Sequence, residues 1–221
     1  MRWIIYCWAV FVMGSVHAEV NITHLETNGI ANWQSKEFSN LTQYEVIEYE
    51  KVKALRAKSK KSASGLVLEQ KIDLNKTPIM TWSWLTKNKL SRLNERTKQG
   101  DDYVARIYLV IDGGLLVWNS KSINYVWSSN QVKGQVWDNP FAGSKVKMLA
   151  VQGKDASINT WYQEQRNVYE DLIAIFGDKG SQKANLAAYQ YIDAVAIMTD
   201  TDNSQNQAET LYGDIIFTKL P

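Results

Sequence analysis

The chain has 221 residues, 45% of them hydrophobic and 22% charged, with a formal net charge of +2. That length can bury a substantial core in one domain, and so small a charge excess gives no reason to expect the basic stripe needed to track a nucleic-acid backbone. Nine Trp and eleven Tyr against three Pro favour a sheet-rich interior, because aromatic side chains suit pleated, half-buried surfaces.

In chain order, Arg2, the apolar run Trp3 to Met13 and Val16-His17-Ala18 have the layout of a secretory signal peptide. Residues 1–18 are therefore expected to be removed, with the mature protein starting at Glu19 in the periplasm or outside the cell. The apolar run is short of the roughly 20 residues a bilayer demands, so no integral membrane segment is expected in the mature chain. Cleavage would take away Cys7 and His17 and leave no cysteine and only His24. Disulfides, thiol nucleophiles and zinc sites built on cysteine or several histidines are thereby excluded. A Ser-His-Asp triad would have to use His24, close to the new terminus where chains are loose.

Residues 19–221 are expected to form one β-sandwich domain. Glu19 to Asn40 is polar and irregular, with Trp33 and Phe38 as anchors of a lead-in that covers an edge. Tyr44 to Tyr49, Val52 to Ser59 and Leu66 to Ile72 alternate as strands, and the lysines of Lys58 to Lys61 read as a solvated turn or a contact for an acidic polymer. In Met80, Trp82 and Trp84 every second residue is large and apolar, so all three project from one face. That face is either core packing or a platform on which sugar rings stack. Thr86 to Gly100 reads as an exposed loop or short surface helix. The clearest strand follows Asp101, with Tyr103, Ala105, Ile107, Leu109 and Ile111 on one face and Val104, Arg106, Tyr108 and Val110 on the other. Arg106, flanked by apolar neighbours, needs a carboxylate that matches its planar fork.

After a break at Gly113-Gly114, short strands are expected at Leu115 to Trp118, Ile123 to Trp127 and Lys145 to Gln152, with a turn at Asn139-Pro140. Trp161, Gln165, Val168, Leu172 and Ile175 fall at helical spacing. Together with a Thr160/Gln163 capping box and Gly177 beyond the end, they predict one helix over 160–176, with Arg166 and Glu170 as a surface pair. The stretch Ile197 to Phe217, two apolar segments joined by a polar loop, predicts a closing β-hairpin with Asp200 opposite Asp214 and Asp202 opposite Tyr212. Three carboxylates would then crowd one sheet end, with Arg106 as their partner, because opposed like charges are destabilising.

The strings KALRAKSKKSASGL at 53–66, PIMTWSWL at 78–85, GDDYVARIYLV at 100–110, INYVW at 123–127, RNVYEDLIAIFG at 166–177, AIMTDTDNS at 196–204 and YGDIIF at 212–217 resemble one family. They are similar to the secreted bacterial proteins grouped as "domain of unknown function 3047", whose name attaches no activity. SASGL and YGDIIF also resemble pieces of carbohydrate-binding jelly rolls. The resemblance implies an antiparallel β-sandwich of jelly-roll, galactose-binding-like type and leaves function open.

Three chemistries compete for the acidic corner. Asp200, Asp202 and Ser204 have the spacing of a calcium loop's first ligands, but Gln205 stands where an EF-hand needs glycine and Leu211 where it needs glutamate. A non-standard calcium site from Asp200, Asp202 and Asp214 stays open beside a plain ion-pair network and a carboxylate pair for glycoside hydrolysis. Non-catalytic binding of a polysaccharide or cell-envelope glycan is the preferred reading, with Trp82, Trp84, Trp127, Arg106, Asp200, Asp202 and Asp214 as candidate residues and Trp118 and Trp137 as further stacking candidates. A hydrolase and a periplasmic structural or assembly partner are the alternatives. No cofactor other than calcium is expected.

Overall fold

The computed structural model describes residues 19–111 and 121–220. The proposed leader with Cys7 and His17, the Gly113-Gly114 break, the strand Leu115 to Trp118 and Trp118 itself lie outside the described residues. Among the described residues, two sheets of seven strands each face one another. The first is built from β1 (Glu19–Asn21), β3 (Gln43–Tyr49), β4 (Val52–Lys60), β6 (Ile79–Thr86), β11 (Tyr162–Asn167), β13 (Gln207–Tyr212) and β14 (Ile216–Thr218). The second runs β2 (Gln34–Ser39), β5 (Ala63–Asp73), β12 (Tyr191–Met198), β7 (Ala105–Ile111), β8 (Lys121–Trp127), β10 (Gly143–Gln152) and β9 (Val136–Asn139). Every neighbouring pair is antiparallel except β8 with β10. The protein is the mainly β sandwich that its short alternating strands predict.

Alternation builds the core. Leu55, Ala57, Trp82, Trp84, Tyr212 and Phe217 of the first sheet meet Leu66, Ile107, Leu109, Tyr125, Trp127, Val195 and Ile197 of the second in one buried cluster. Trp82 stacks on Tyr125 at 5.4 Å between ring centroids and 3° between planes, and Trp84 lies 5.9 Å from Trp127. β13 and β14 are two halves of one line alongside β6, separated at Gly213. A side chain at Gly213 would put Cβ 2.1 Å from the Ser83 hydroxyl, so the Ser83 side chain would have to turn away for any residue but glycine to pass β6 this closely.

Several expectations are corrected. The stretch 197–217 is not a hairpin: β12 pairs with β5 and β7 in the second sheet, whereas β13 pairs with β4 and β6 in the first. Residues 199–206 are the crossing between layers. The helix expected over 160–176 divides into β11, which extends the first sheet alongside β6, and α1 (Val168–Phe176). Asn167, not Thr160, caps α1 by accepting from the Glu170 amide, and Gly177 closes it with φ 93°. Arg166 pairs with Asp171, not Glu170, and Asp171 also accepts from the buried Tyr125 hydroxyl at 2.5 Å, which ties α1 to the core. A second helix, α2 (Gln182–Tyr189), follows, with Ser181 as its cap. In the lead-in, Trp33 is buried as expected, whereas Phe38 is 62% exposed on the edge strand β2.

Candidate functional site

The acidic corner forms where the chain crosses between sheets. Thr199, Asp200 and Thr201 run buried through the edge of the core, so their backbone groups require partners inside the protein. The sequence supplies them as hydroxyls and loop carbonyls. Thr42 donates to the Thr199 carbonyl at 3.0 Å, Thr201 N–H donates to the Ser62 carbonyl at 2.9 Å, and Asp200 N–H donates to the Tyr103 carbonyl at 3.2 Å. The Thr199 and Thr210 hydroxyls both donate to the Val104 carbonyl, at 2.9 and 2.7 Å. Asp200 is thereby held against β7.

Arg106, on β7 and 3% exposed, meets it there. Its Nε donates to Asp200 Oδ1 at 3.0 Å, a terminal nitrogen donates to Asp200 Oδ2, and the same nitrogen reaches the Asp101 carbonyl at 3.0 Å. The fork is the bidentate pair expected from the sequence. Tyr103 and Tyr108 flank the guanidinium, with ring centroids 4.7 and 5.5 Å from its carbon. Burial alone would lower the Arg106 pKa, but Tyr108, Asp101, Tyr103 and Asp102 outweigh it and hold the group charged.

The third carboxylate of the corner is Asp102, not Asp214. Carboxylate oxygens of Asp102, Asp200 and Asp202 all lie within 4.8 Å of one another. Asp102 accepts from the amides of Asn203 at 3.2 Å and Ser204 at 2.5 Å, which folds the 202–205 turn over it. Burial first, and then the like charge of Asp102, push the Asp202 pKa up. The Ser204 hydroxyl is buried beside this cluster with no partner among the described residues. Asp214 sits elsewhere because the expected hairpin does not exist. It accepts from the Thr23 hydroxyl at 2.7 Å and the Leu25 amide at 3.0 Å, anchoring the lead-in to the break between β13 and β14. A doubled aspartate immediately before the strongest strand was the available signal for Asp102.

The aromatic candidates divide differently from the expectation. Trp82, Trp84, Trp127 and Trp137 are 2%, 0%, 0% and 5% exposed, so none of them offers a ring face to solvent. Trp84 donates to the buried Glu164 at 3.2 Å, and Glu164 also accepts from Gln152 at 2.6 Å. The outward face of the first sheet carries its own aromatic pair. Ala54, Leu85 and Leu211 form a small apolar floor there, and half-buried Ile47, Tyr49 and Trp161 pack on it. Tyr49 and Trp161 meet edge to face with centroids 6.5 Å apart. Lys87 lies 4.1 Å over the Tyr49 ring and donates to its hydroxyl at 2.7 Å. The sequence hides this pair, because Trp161 falls at helical spacing with Gln165 and Val168 and Tyr49 ends a strand like any other.

Chemically, the corner is a tied network. Both oxygens of Asp200 are taken by Arg106, and both of Asp102 by turn amides. A glycosidase needs one carboxyl free to give up a proton and another free to attack or activate water, both facing a cleft. The groove of about 580 Å³ near the outward face of the first sheet is lined instead by Lys58, Lys60, Lys87 and Asn88, with Glu209 its one carboxylate.

Comparison with known proteins gives a family match described as "Protein of unknown function (DUF3047)" over residues 31–216. No curated protein sequence matches the chain. Among solved structures, the K3 cleaved adhesin domain of Lys-gingipain from Porphyromonas gingivalis w83 is similar at 12% identity and TM-score 0.44, over 91% of this chain and 100% of that one. A beta-1,2-glucanase from Parabacteroides distasonis matches at 12% identity and TM-score 0.40, over 84% of this chain and 23% of that one. Endoglucanase 3 of Trichoderma harzianum, from family GH12, matches at 11% identity and TM-score 0.40, over 86% of this chain and 99% of that one.

Proposed function

The chain belongs to the DUF3047 family of proteins of unknown function, and from that premise we propose a role drawn from its own surface: non-catalytic binding of a polysaccharide or cell-envelope glycan on the outward face of the first sheet. The observation that carries this reading is the half-buried Tyr49–Trp161 pair, seated on an apolar floor and bordered by Lys87. Aromatic faces fixed by packing take sugar rings at little entropic cost, and nearby polar groups can bind hydroxyls. Against hydrolysis stands the bonding of the corner's carboxylates, each oxygen of Asp102 and Asp200 already accepting a protein donor. Affinity electrophoresis in gels containing a panel of glycans, run beside a reducing-end assay, tests the proposal. Retardation that disappears in Trp161→Ala while the fold is kept is the expected result. Release of reducing ends that disappears in a folded Asp202→Asn variant would replace the binding role with an enzymatic one.

The ligand's location follows from export, which the layout of residues 1–18 supports. Among the described residues no helix is long and apolar enough to cross a membrane. Intact mass of the protein recovered from the periplasm should begin at Glu19; retention of Met1 to Ala18 would refute export with cleavage.

A second reading has its own observation. Three carboxylates within 4.8 Å, beside the unpartnered Ser204 hydroxyl, leave negative charge that Arg106 alone does not balance. We propose that Asp102 and Asp202 supply the principal oxygens for a structural calcium ion, with Asp200 held back by Arg106. Calcium prefers six to eight oxygen ligands, so water would complete the shell. Calcium should raise the midpoint of thermal unfolding in the wild type but not in Asp202→Asn; equal responses, or none, would reject the site.

A further inference from the structure

The groove of about 580 Å³ adjoins the aromatic pair, and Lys87 belongs to both: it lines the groove while its ammonium covers the Tyr49 ring. Among the described residues, three lysines, Lys58, Lys60 and Lys87, line the groove with one carboxylate, Glu209. Lys58 lies 3.6 Å from Glu209, so one positive charge is already balanced. Among the described residues no carboxylate pairs with Lys60 or Lys87. Asn88 is fixed in the wall, donating to the Gln207 carbonyl at 2.9 Å and accepting from the Glu209 amide at 3.1 Å. The result is a cationic recess with a rigid polar wall, continuous through one lysine with a platform for flat apolar faces.

Resting on the glycan reading above, we propose that the ligand is an acidic glycan. Its carboxylate or phosphate group sits in the groove against Lys60 and Lys87, and a neighbouring sugar ring lies on Trp161, beside the Tyr49 ring that Lys87 covers. A neutral glycan would leave the two ammonium groups without a counter-charge, whereas an acidic one matches both features at once. Nucleic acid is also a polyanion, but a net charge of +2 gives no reason to expect the extended basic track that binding it needs.

The test measures binding of the purified protein to polygalacturonate for carboxylate, phosphomannan for phosphate, dextran and xylan as neutral glycans, and duplex DNA as a polyanion control that is not a glycan. One or both acidic glycans should bind tighter than the neutral ones, and the two arms identify the acid group. Binding should weaken as salt rises, because exposed charges are screened. Lys60→Gln should lower affinity roughly threefold and the Lys60→Gln/Lys87→Gln pair roughly tenfold, in line with exposed charge pairs. Among the described residues the Lys60 side chain has no hydrogen-bond or ion-pair partner, its described bonds being those of its backbone, so its variant reads charge alone even if Lys87→Gln disturbs Tyr49. Equal binding of neutral and acidic glycans, unchanged by the lysine variants, would overturn the acidic-ligand proposal and leave the glycan role standing. Absence of binding to any glycan would overturn both. DNA binding as tight as glycan binding and indifferent to Trp161→Ala would also overturn it, in favour of non-specific charge.

Discussion

The two faces of the first sheet use the same residue types to opposite ends. On the inward face Trp82 and Trp84 press against Tyr125 and Trp127 of the second sheet and are sealed from water. On the outward face Tyr49 and Trp161 pack on a floor of only three buried residues and stay half-buried. The indole nitrogens of Trp82 and Trp127 find no partner among the described residues, so those rings are held by the apolar area they bury. The same rings would serve a ligand only if no second sheet covered them. What separates core from platform is therefore the opposite layer, not the ring or its spacing along the strand.

The sharpest way to break this comparison is to empty the inward face. Trp84→Ala removes a fully buried ring and takes the indole donor from Glu164, so a loss of about 5 kcal/mol is expected, at the top of the large-to-small range. Urea denaturation measures it. A folded Trp84→Ala protein of near wild-type stability that has lost glycan binding would mean that Trp84 serves a ligand after all.

Next in size is the corner that links the layers. Asp200→Asn should cost about 3 kcal/mol, because a buried guanidinium loses the charge of its bidentate partner and keeps the Asp101 carboxylate, 3.6 Å away, and one Asn oxygen to bond. The same denaturation series reads it. A loss below about 1 kcal/mol would show that Asp101 alone satisfies Arg106, and that the crossing segment does not depend on the pair.

Trp161→Ala tests the outward face. It should cost about 1 kcal/mol or less in stability, since its site is half open, yet reduce glycan affinity about tenfold, within the range of stacking contacts. Loss of stability comparable to Trp84→Ala would make the two faces equivalent and remove the platform.

How much of this was legible follows the same division. Period-two spacing announced that Met80, Trp82 and Trp84 share a face, and that β7 places Arg106 among apolar neighbours in need of a carboxylate. Asp200 was recoverable because a buried arginine demands an acid and few are placed to supply one. The hairpin over 197–217 was not recoverable: two apolar segments around a polar loop read the same whether the strands pair or cross between sheets. The crossing is betrayed only by Thr199 and Thr201, whose buried hydroxyls have no meaning until Val104 and Ser59 stand opposite. That error carried Asp214 into the corner and left Asp102 out. The over-long helix had a local cause as well. Asn167 with Glu170 three positions later fits a capping box as well as Thr160 with Gln163, and the preference of residues 162–167 for the edge of β6 is a tertiary effect.

The smallest effect expected is also the most diagnostic of the corner's charge balance. In Asp202→Asn a carboxylate whose pKa is raised, first by burial and then by Asp102, is replaced by a neutral group. An acid with a higher pKa folded than unfolded favours the fold only while protonated. That contribution is complete below the ordinary aspartate value of about 3.8 and is lost as pH rises through the raised folded value. Above that raised value the wild type carries the ionised, repelled carboxylate and the variant does not. In chelator, Asp202→Asn should therefore be more stable than wild type by about 0.5 kcal/mol at pH 7, a figure kept small because the side chain is partly solvated. The difference should shrink toward zero below pH 3.8, where both proteins are neutral at this position. Calcium should reverse the order at pH 7 by stabilising only the wild type. A wild type already more stable than the variant at pH 7 in chelator would mean that Asp202 makes a favourable contact, and that like-charge crowding is not what the corner is built around.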